Sequence, residues 1–245
     1  MSGKLKNIKK FEDFVAENVW LEPSFDDIIL GGAKDAATGL FGKVINKVKS
    51  MVSGKDKDTP KSSAGLSGGL IATDKIARHN ADPEAFKAKL IDICQTLRIN
   101  PNWLLLVMIK ESDLDPKKRN PRSSASGLIQ FMDSTARDLG TSINAIRNMS
   151  GLEQLNYVFK YYKSYAGKMT CVEDVYLVTF MPGYFGSRND DSKNMGGSRI
   201  AALNNIIDLN NDGQIKMGEF KKYVTKNIPS EYQDAISAKS NNSYA

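Results

Sequence analysis

The spacing of apolar residues predicts helices along most of the chain. From about residue 72 onward, apolar side chains recur every three or four positions, as they do on one face of a helix. Asp82-Pro83-Glu84 predicts the start of one helix, and Asn100 followed by Pro101 predicts the cap and first turn of the next. Further helices are predicted at about 134–139, 142–148, 151–166 and 172–181, with a last pair flanking residue 212. No strand-like alternation is visible, so the fold class is predicted to be mainly α.

The N-terminal part of the chain has a different character. Residues 1–54 carry apolar side chains at helical spacing, and lysines border the stripe that runs from Leu40 to Val52. Such a basic amphipathic helix can dock on a membrane or a partner, or it can pack against its own domain or a sister chain. Residues 55–72 are rich in Gly, Ser and Lys, which predicts a linker. This region is therefore expected to be a partly flexible helical appendage.

Composition and charge narrow the class of protein. The 245 residues are 41% apolar and 25% charged, as in an ordinary soluble globular protein. The net charge of +6 is spread out, and without a dense Lys/Arg block we expect no nucleic-acid partner. The sequence contains no run of 18 apolar residues, so no membrane span is predicted. The first twenty residues lack the apolar core of a signal peptide.

The scarcity of histidine and cysteine excludes several kinds of site. His79 is the single histidine, and the two cysteines, Cys94 and Cys171, are not in a CxxC spacing. These residues are too few for a zinc site or a Ser-His-Asp triad. Both cysteines lie in apolar helical patterns and are predicted to be small core residues. Any hydrolytic chemistry must therefore come from carboxylates.

One carboxylate stands out because it ends a strongly apolar helix. Residues 104–111 are almost entirely apolar up to Lys110 and Glu111, and a polar loop follows at 113–126. A glutamate on an apolar helix loses hydration, which raises its pKa. A general acid for glycoside cleavage needs such a pKa, although a glutamate at a helix end is more often a solvated surface charge. Of the possible second carboxylates, Asp115 is predicted to serve a turn before Pro116, and Asp113 to face away from Glu111.

The residues around Glu111 carry a resemblance to a known family. Five elements occur in order: Glu111-Ser112, Asp115-Pro116, Gly127-Leu128-Ile129-Gln130, Ser134-Thr135-Ala136-Arg137 and Leu139-Gly140. This series resembles the catalytic domain of the lytic transglycosylases, the goose-type-lysozyme-like (SLT) branch of the lysozyme superfamily. The resemblance covers residues from roughly 80 to 207 and continues through Tyr157 to Tyr161, which is similar to the tyrosine-rich helix of phage versions.

The resemblance implies a lysozyme-like helical fold and an activity on peptidoglycan. Glu111 would be the single acid/base that cleaves the MurNAc-GlcNAc β-1,4 bond. Ser112 and Gln130 would contact the sugar, and the backbone around Ile129 would hold its N-acetyl group. Gly127 would let the backbone approach the glycan. The product would be a 1,6-anhydromuramyl end; if a positioned water enters instead, the enzyme is a muramidase.

The third motif of the family is altered. Thr179-Phe180-Met181-Pro182-Gly183 stands where the family usually has Ala-Tyr-Asn-Ala-Gly. Phe180 and the nearby Tyr184 are the candidate substrate contacts here. The loss of two polar residues is the argument for an alternative, a non-catalytic wall- or virion-binding module on the same scaffold.

The resemblance to phage versions gives an expectation for location. Proline-containing third motifs occur in phage-borne relatives, and a wall-degrading enzyme without a signal peptide must be released by lysis or delivered in a particle. We expect a phage endolysin or virion-associated lysin, held in the virion or the host cytoplasm until it acts in the bacterial wall. Residues 1–54 would attach it to virion components or to a membrane.

Residues 208–219 match the EF-hand calcium loop. Asp208, Asn210 and Asp212 supply oxygen at positions 1, 3 and 5, Gln214 a backbone carbonyl at position 7 and Glu219 a bidentate carboxylate at position 12. Gly213 supplies the turn, Ile215 is predicted to pack beneath the loop, and Lys216 cannot be a ligand. The predicted cofactor is a structural calcium ion. Two alternatives are a polar turn that binds nothing and a calcium-dependent interaction protein.

The helices on either side of the loop are expected to be formed by Ile200 to Ile207 and by Phe220 to Val224. With the N-terminal segment and the linker, this division predicts a lysozyme-like domain over 73–207. The calcium loop and C-terminal helices would form a further unit over 208–245.

Overall fold

The computed structural model of the protein describes residues 69–226 and 228–238. The amphipathic segment predicted over 1–54 and most of the predicted linker lie outside these residues. The described residues form ten α-helices. They are α1 Thr73–His79, α2 Pro83–Leu97, α3 Pro101–Ser112, α4 Asp133–Asp138, α5 Ile143–Asn148, α6 Gly151–Tyr162, α7 Val172–Phe180, α8 Ser198–Leu203, α9 Met217–Thr225 and α10 Ser230–Ser237. The prediction of a mainly α fold is confirmed.

Local capping signals set the bounds of the two longest N-terminal helices, as predicted. The Asp82 side chain accepts the Ala85 N–H at 2.9 Å, and Asn100 accepts the Asn102 N–H at the same distance. Each helix has proline in its first turn and ends at a residue in the left-handed conformation, Arg98 for α2 and Asp113 for α3.

Helix α3 is the centre of the fold. Residues 101–108 are all buried, so this helix is surrounded by protein on nearly every side. Helix α7 lies against α3, while α6 lies against α2. The apolar faces of these helices form a single core. Because the core surrounds α3, its last turn is held rigidly.

The described residues also include two short strands, which the sequence pattern does not reveal. β1, Asn194–Gly196, pairs antiparallel with β2, Ile215–Lys216. Isolated bridges also join Ser126 to Arg119 and to Phe131 within the predicted polar loop and the turn after it. Strands of two or three residues are too short for an alternating pattern to become visible in a sequence.

The C-terminal elements belong to the same core as the rest. Helix α9 packs on α7, and α10 packs on α3. The Trp103 indole donates to the Ile236 carbonyl at 2.7 Å, and the Asn100 amide donates to the Ala235 carbonyl at 2.9 Å. These bonds tie the last described helix to the start of α3.

Three details differ from the sequence expectations or add to them. The helix predicted through Ile207 ends at Leu203. The Asn204 side-chain amide donates to the Ile200 carbonyl at 3.0 Å and so competes with the backbone for that acceptor. Cys94 is buried as predicted, but Cys171 is half-buried and precedes α7. None of the described helices is long and apolar enough to cross a membrane.

Candidate active site

Glu111 lies in the last turn of α3, where the buried helix reaches a loop. Its side chain is half-buried. The carboxyl oxygen Oε1 is covered by protein atoms and has no hydrogen-bond partner among the described residues. A buried carboxyl oxygen without a partner favours the neutral, protonated acid, because a charge there would lack solvation.

Burial raises the pKa of Glu111 to about 7, and two neighbours oppose that rise. The nearby Tyr176 hydroxyl stabilises the carboxylate and Lys110 attracts its charge, and both effects lower the pKa. Burial outweighs them. The predicted upward shift is therefore confirmed, and the group can exchange a proton near neutral pH.

A pair of tyrosines lies near Glu111, one of them in the C-terminal part of the chain. Tyr176 of α7 is 2% exposed, and both it and Tyr223 of α9 lie close enough to Glu111 to interact with its charge. The Tyr176 ring lies 5.8 Å from Phe220 and 6.1 Å from Tyr223, measured between centroids. The carboxyl group of Glu111 therefore lies in a largely aromatic environment.

The turn at 127–130 is fixed to α3 and α6 by buried polar side chains. Ser112 Oγ lies 2.9 Å from the Leu128 carbonyl and 3.0 Å from that of Met108. Gln154 accepts the Leu128 N–H at 2.9 Å and donates to the carbonyls of Pro116 and Ile146. These bonds place the turn beside the end of α3 that carries Glu111.

The structure explains the glycine at position 127 by packing inside the protein, whereas the sequence analysis explained it by the close approach of a glycan. Its φ is +81°, and a Cβ added there would lie 2.4 Å from Gln154 Oε1. Because three hydrogen bonds hold the buried Gln154 amide, it cannot move aside cheaply. The absence of a side chain at 127 is thus required by the core.

Several predicted sugar contacts are engaged within the protein. Ser112 is 2% exposed and its hydroxyl is used by the backbone, so the expected sugar contact is not available in this conformation. Ile129 is also buried, at 5% exposure. Gln130 adopts φ +54°, and its amide donates to the Gly127 carbonyl at 3.0 Å. These residues lie together beside Glu111, where they shape the turn.

Phe180, predicted to bind substrate, belongs to the core. It is 2% exposed and stacks on Phe220 with centroids 5.7 Å apart. In this conformation the ring is therefore covered by the C-terminal part of the chain, and its contact with substrate stays a prediction. Tyr184 is half-buried and packs on the edge of the core.

The two aspartates after Glu111 have separate structural roles. Asp115 accepts the Lys117 N–H at 2.8 Å, which is the predicted turn. Asp113 is exposed and forms an ion pair with Lys75 of α1 at 2.5 Å. Among the described groups that set the pKa of Glu111, no second carboxylate is found.

The predicted calcium loop, residues 208–219, is a tight turn held by hydrogen bonds to its own side chains. Asp208 accepts N–H groups from Asp212 and Gly213, at 3.1 and 3.0 Å. Gly213 has φ +75°, the turn conformation expected of that position. Ile215 is fully buried, as predicted. The oxygen-bearing side chains thus gather around one tight loop.

The oxygen atoms of the loop are the type of ligand that calcium prefers. In this conformation, however, the carboxylates of Asp212 and Glu219 bind other groups of the protein. Glu219 accepts N–H groups of Leu209, Asn210 and Lys216, at 3.0 to 3.2 Å. The Lys216 ammonium lies 2.7 Å from Asp212 Oδ2. Within residues 69–226 and 228–238, no three His, Cys, Asp or Glu side chains are grouped so that they could hold a metal ion. Calcium therefore stays a prediction.

Two residues of this region were not predicted to belong to the site. Lys110 and Tyr176 lie in helical patterns that predict a surface or a core face, without a sign of polar contact. A tyrosine on a buried helix face is nevertheless a usable signal, because its hydroxyl needs a partner when the ring is buried.

Comparison with known proteins identifies the region that holds this site. Residues 91–165 match the family model of the transglycosylase SLT domain. The matched range includes Glu111, the 127–130 turn and Gln154. Searches of curated proteins and of solved structures gave no significant match.

Proposed function

We propose that the chain is a lysozyme-like enzyme that acts on peptidoglycan and that Glu111 is its single catalytic acid/base; the match of residues 91–165 to the transglycosylase SLT domain supports this proposal. The bond cleaved would be the β-1,4 bond between MurNAc and GlcNAc. The observation that carries the proposal is a glutamate at the end of a buried helix with a pKa raised to about 7.

The proposed reaction needs one carboxyl group used twice. Protonated Glu111 gives its proton to the glycosidic oxygen as the bond from C1 of the muramyl residue breaks. The substrate's own 2-acetamido group stabilises the oxocarbenium-like centre. The Glu111 carboxylate then takes the proton of the 6-hydroxyl, whose oxygen closes onto C1 as a 1,6-anhydro ring, and the acid is regenerated.

The environment of Glu111 supports this mechanism over a two-carboxylate mechanism. Most glycosidases place a second carboxylate about 5 to 9.5 Å from the acid. Asp113 pairs with Lys75, and Asp115 is used in a turn. The muramidase outcome stays an alternative in which a water replaces the 6-hydroxyl at the same acid.

A conservative substitution tests the role of Glu111. Glu111→Gln keeps the size of the side chain but removes the acidic proton that the mechanism transfers. The release of soluble fragments from purified peptidoglycan should therefore fall by about 100-fold or more. Glu84→Gln is the matched control, since the Glu84 side chain is 83% exposed and pairs with Lys87. Wild-type rates in Glu111→Gln would contradict the proposal.

We also propose that the 208–219 loop binds a structural calcium ion. Asp208, Asn210, Asp212, the Gln214 carbonyl and Glu219 would hold it, and the ion would clamp the loop without taking part in the reaction. Support comes from the oxygen-only donor set and the turn at Gly213.

A bacteriophage lysin is our proposal for the biological setting. The proline-containing third motif and the tyrosines of α6 support it by their similarity to phage versions of this domain. Residues 1–54 would bind virion components or a membrane. The protein would stay in the virion or the host cytoplasm until it reaches the wall.

A further inference from the structure

We propose that three exposed cations, Lys118, Arg119 and Arg122, bind the carboxylates of the short peptides that hang from the glycan strands of peptidoglycan. These three residues, the basic strip, lie in the loop between the end of α3 and the turn at 127–130. The inference rests on the proposed function and deepens it. It assigns the recognition of the charged part of the substrate to side chains other than the catalytic acid.

The basic strip is a concentration of positive charge without partners. The segment from 116 to 132 contains four Lys and Arg residues and no Asp or Glu. The side chains of Lys118, Arg119 and Arg122 are exposed, and none of them forms an ion pair or a hydrogen bond with another described residue. Because like charges this close in the chain repel one another, binding of an anion relieves that repulsion.

The carboxylates that lie nearest in the sequence are already used by other groups. Asp113 forms its ion pair with Lys75, and Asp133 pairs with Arg137. Asp115 accepts a backbone N–H of the turn that follows α3. The charge of the basic strip is therefore left for an anion from outside the protein.

The backbone of the loop is ordered before any ligand binds. The Asn120 N–H donates to the Ala125 carbonyl at 2.9 Å, and the Gly127 N–H donates to the Lys118 carbonyl at the same distance. Arg119 lies between these two bonds, in an antiparallel bridge with Ser126. A loop held in this way loses little backbone freedom on binding, which favours its use as a recognition surface.

Two other cations of this region have structural partners inside the protein. The Lys117 ammonium donates to the three carbonyls of residues 147–149, at 2.8 to 3.2 Å, where the C-terminal end of α5 favours a cation. The Arg147 Nε donates to Ser126 Oγ at 2.9 Å. These contacts fasten the loop to α5, so the charge free for a ligand is that of the basic strip.

Hydrogen bonds link the basic strip to the catalytic end of α3. The Lys118 carbonyl accepts the Gly127 N–H, and the next residue, Leu128, has its carbonyl 2.9 Å from Ser112 Oγ. Ser112 directly follows Glu111. The loop with the cations is thus fixed to the same turn that lies beside the proposed acid.

The chemistry of the substrate fits a cationic surface at this place. The muramyl residue whose bond is cleaved carries a peptide, and such peptides end in and contain free carboxylates. A guanidinium binds a carboxylate through two parallel N–H donors, and an ammonium binds it as a point charge. A strand held with its muramyl residue at Glu111 therefore brings anions to the side of the site where the basic strip lies.

The test compares two triple variants of the full chain on soluble glycan strands that keep their peptides. When all three residues of the basic strip are changed to Gln, KM should rise by roughly 3- to 30-fold with little change in kcat, since each exposed ion pair contributes modestly to binding. The matched control loses the same charge at exposed lysines elsewhere and should keep the wild-type KM; its changes are Lys163→Gln, Lys168→Gln and Lys222→Gln.

A chemically modified substrate identifies the anion. Strands whose carboxylates have been converted to amides should raise the KM of the wild type as much as the triple change in the basic strip does. The variant of the basic strip should not distinguish amidated from unmodified strands. Added salt should weaken the wild type more than that variant, because screening acts on the exposed ion pairs.

The outcomes separate this inference from the proposed function. If Glu111→Gln keeps the wild-type activity, the proposed acid is wrong, while co-sedimentation with purified peptidoglycan still measures binding by the basic strip. If Glu111→Gln is inactive but the variant of the basic strip keeps the wild-type KM and binding, this inference alone is wrong. An equal loss on amidated and unmodified strands, or tighter binding of the wild type to DNA than to the strands, would also contradict it.

Discussion

At the scale of single residues, the burial of Glu111 lowers the stability of the fold when the group is charged and also makes the group an acid at neutral pH. Moving its pKa from 4.5 to about 7 corresponds to on the order of 3 kcal/mol in favour of the protonated form. Above pH 7 the folded protein must hold a poorly solvated charge, which lowers its stability. The same environment makes the group an acid at neutral pH.

This balance predicts how Glu111→Gln changes the stability. Because the pKa is higher in the folded state, the folded protein keeps its full stability below about pH 4.5 and loses some as pH rises through about 7. The neutral glutamine has no such loss. At pH 8, Glu111→Gln should raise the free energy of unfolding by about 1 to 3 kcal/mol, measured by denaturant titration.

The control is to measure the effect of Glu111→Gln on the free energy of unfolding at a second, acidic pH. At pH 4 the gain should disappear, because glutamate is then neutral in both states. Glu84→Gln, at an exposed glutamate, should give no pH-dependent gain. A Glu111→Gln variant no more stable than the wild type at pH 8 would mean that the carboxyl group is not desolvated.

At the scale of elements, the turn beside Glu111 depends on a contact with α6. Gly127 and Gly140 both have positive φ, at +81° and +77°, but a Cβ at 140 would meet nothing within 4 Å. Gly140→Ala should therefore cost only backbone strain, about 1 kcal/mol. Gly127→Ala adds the collision with Gln154 and should cost about 1 to 3 kcal/mol more.

Thermal unfolding of the two alanine variants measures that difference. Activity should also fall in Gly127→Ala, since the displaced turn lies next to the catalytic acid. Equal destabilisation of both variants would show that the Gln154 amide moves aside freely, and that the turn is not held in the way its hydrogen bonds indicate.

The 208–219 loop gives a second prediction at this scale. If calcium binds only the folded protein, calcium at 100 times its Kd should stabilise the fold by about 2.7 kcal/mol. Glu219→Gln should abolish the calcium-dependent rise in Tm, whereas Asp234→Asn, at an exposed residue of α10, should keep it. No rise in the wild type would leave the loop as a polar turn without a ligand.

At the scale of the whole molecule, local signals predicted the helices but not their distant contacts. Asp82 and Asn100 each predicted a helix start correctly, because a cap depends on residues a few positions away. Phe180 was assigned to substrate binding from its place in the third motif, and its stacking on Phe220, forty positions later, could not be predicted. Periodicity identifies a buried face without saying which helix covers it.

The same limit explains what could be predicted of the site. The raised pKa of Glu111 followed from one apolar helix and was confirmed. The proximity of Tyr176 and Tyr223 to Glu111 depends on the packing of three helices from separate parts of the chain. A buried tyrosine indicates that its hydroxyl has a partner, but the partner itself is set by the fold.

The position of the site within the chain predicts the effect of removing the N-terminal segment. The match to the transglycosylase SLT domain covers residues 91–165, which include Glu111 and the turn at 127–130. A variant that begins at residue 69 should therefore keep the wild-type rate on purified peptidoglycan. It should lose incorporation into virions or binding to vesicles, if residues 1–54 act as the proposed attachment segment.

Assays with purified wall and with intact particles separate these two functions. Loss of activity on purified peptidoglycan would mean that the N-terminal segment contributes to the active site. Unchanged virion incorporation and unchanged vesicle binding would remove both proposed roles of residues 1–54.

The most direct test of the central claim is mass spectrometry of peptidoglycan fragments released by the wild type and by Glu111→Gln. A single acid/base at Glu111 predicts wild-type fragments with 1,6-anhydromuramyl ends, each lighter by one water than its hydrolysed counterpart, and no fragments from the variant. Reducing muramyl ends would contradict the transfer to the 6-hydroxyl, and fragments from Glu111→Gln would contradict the assignment of the acid.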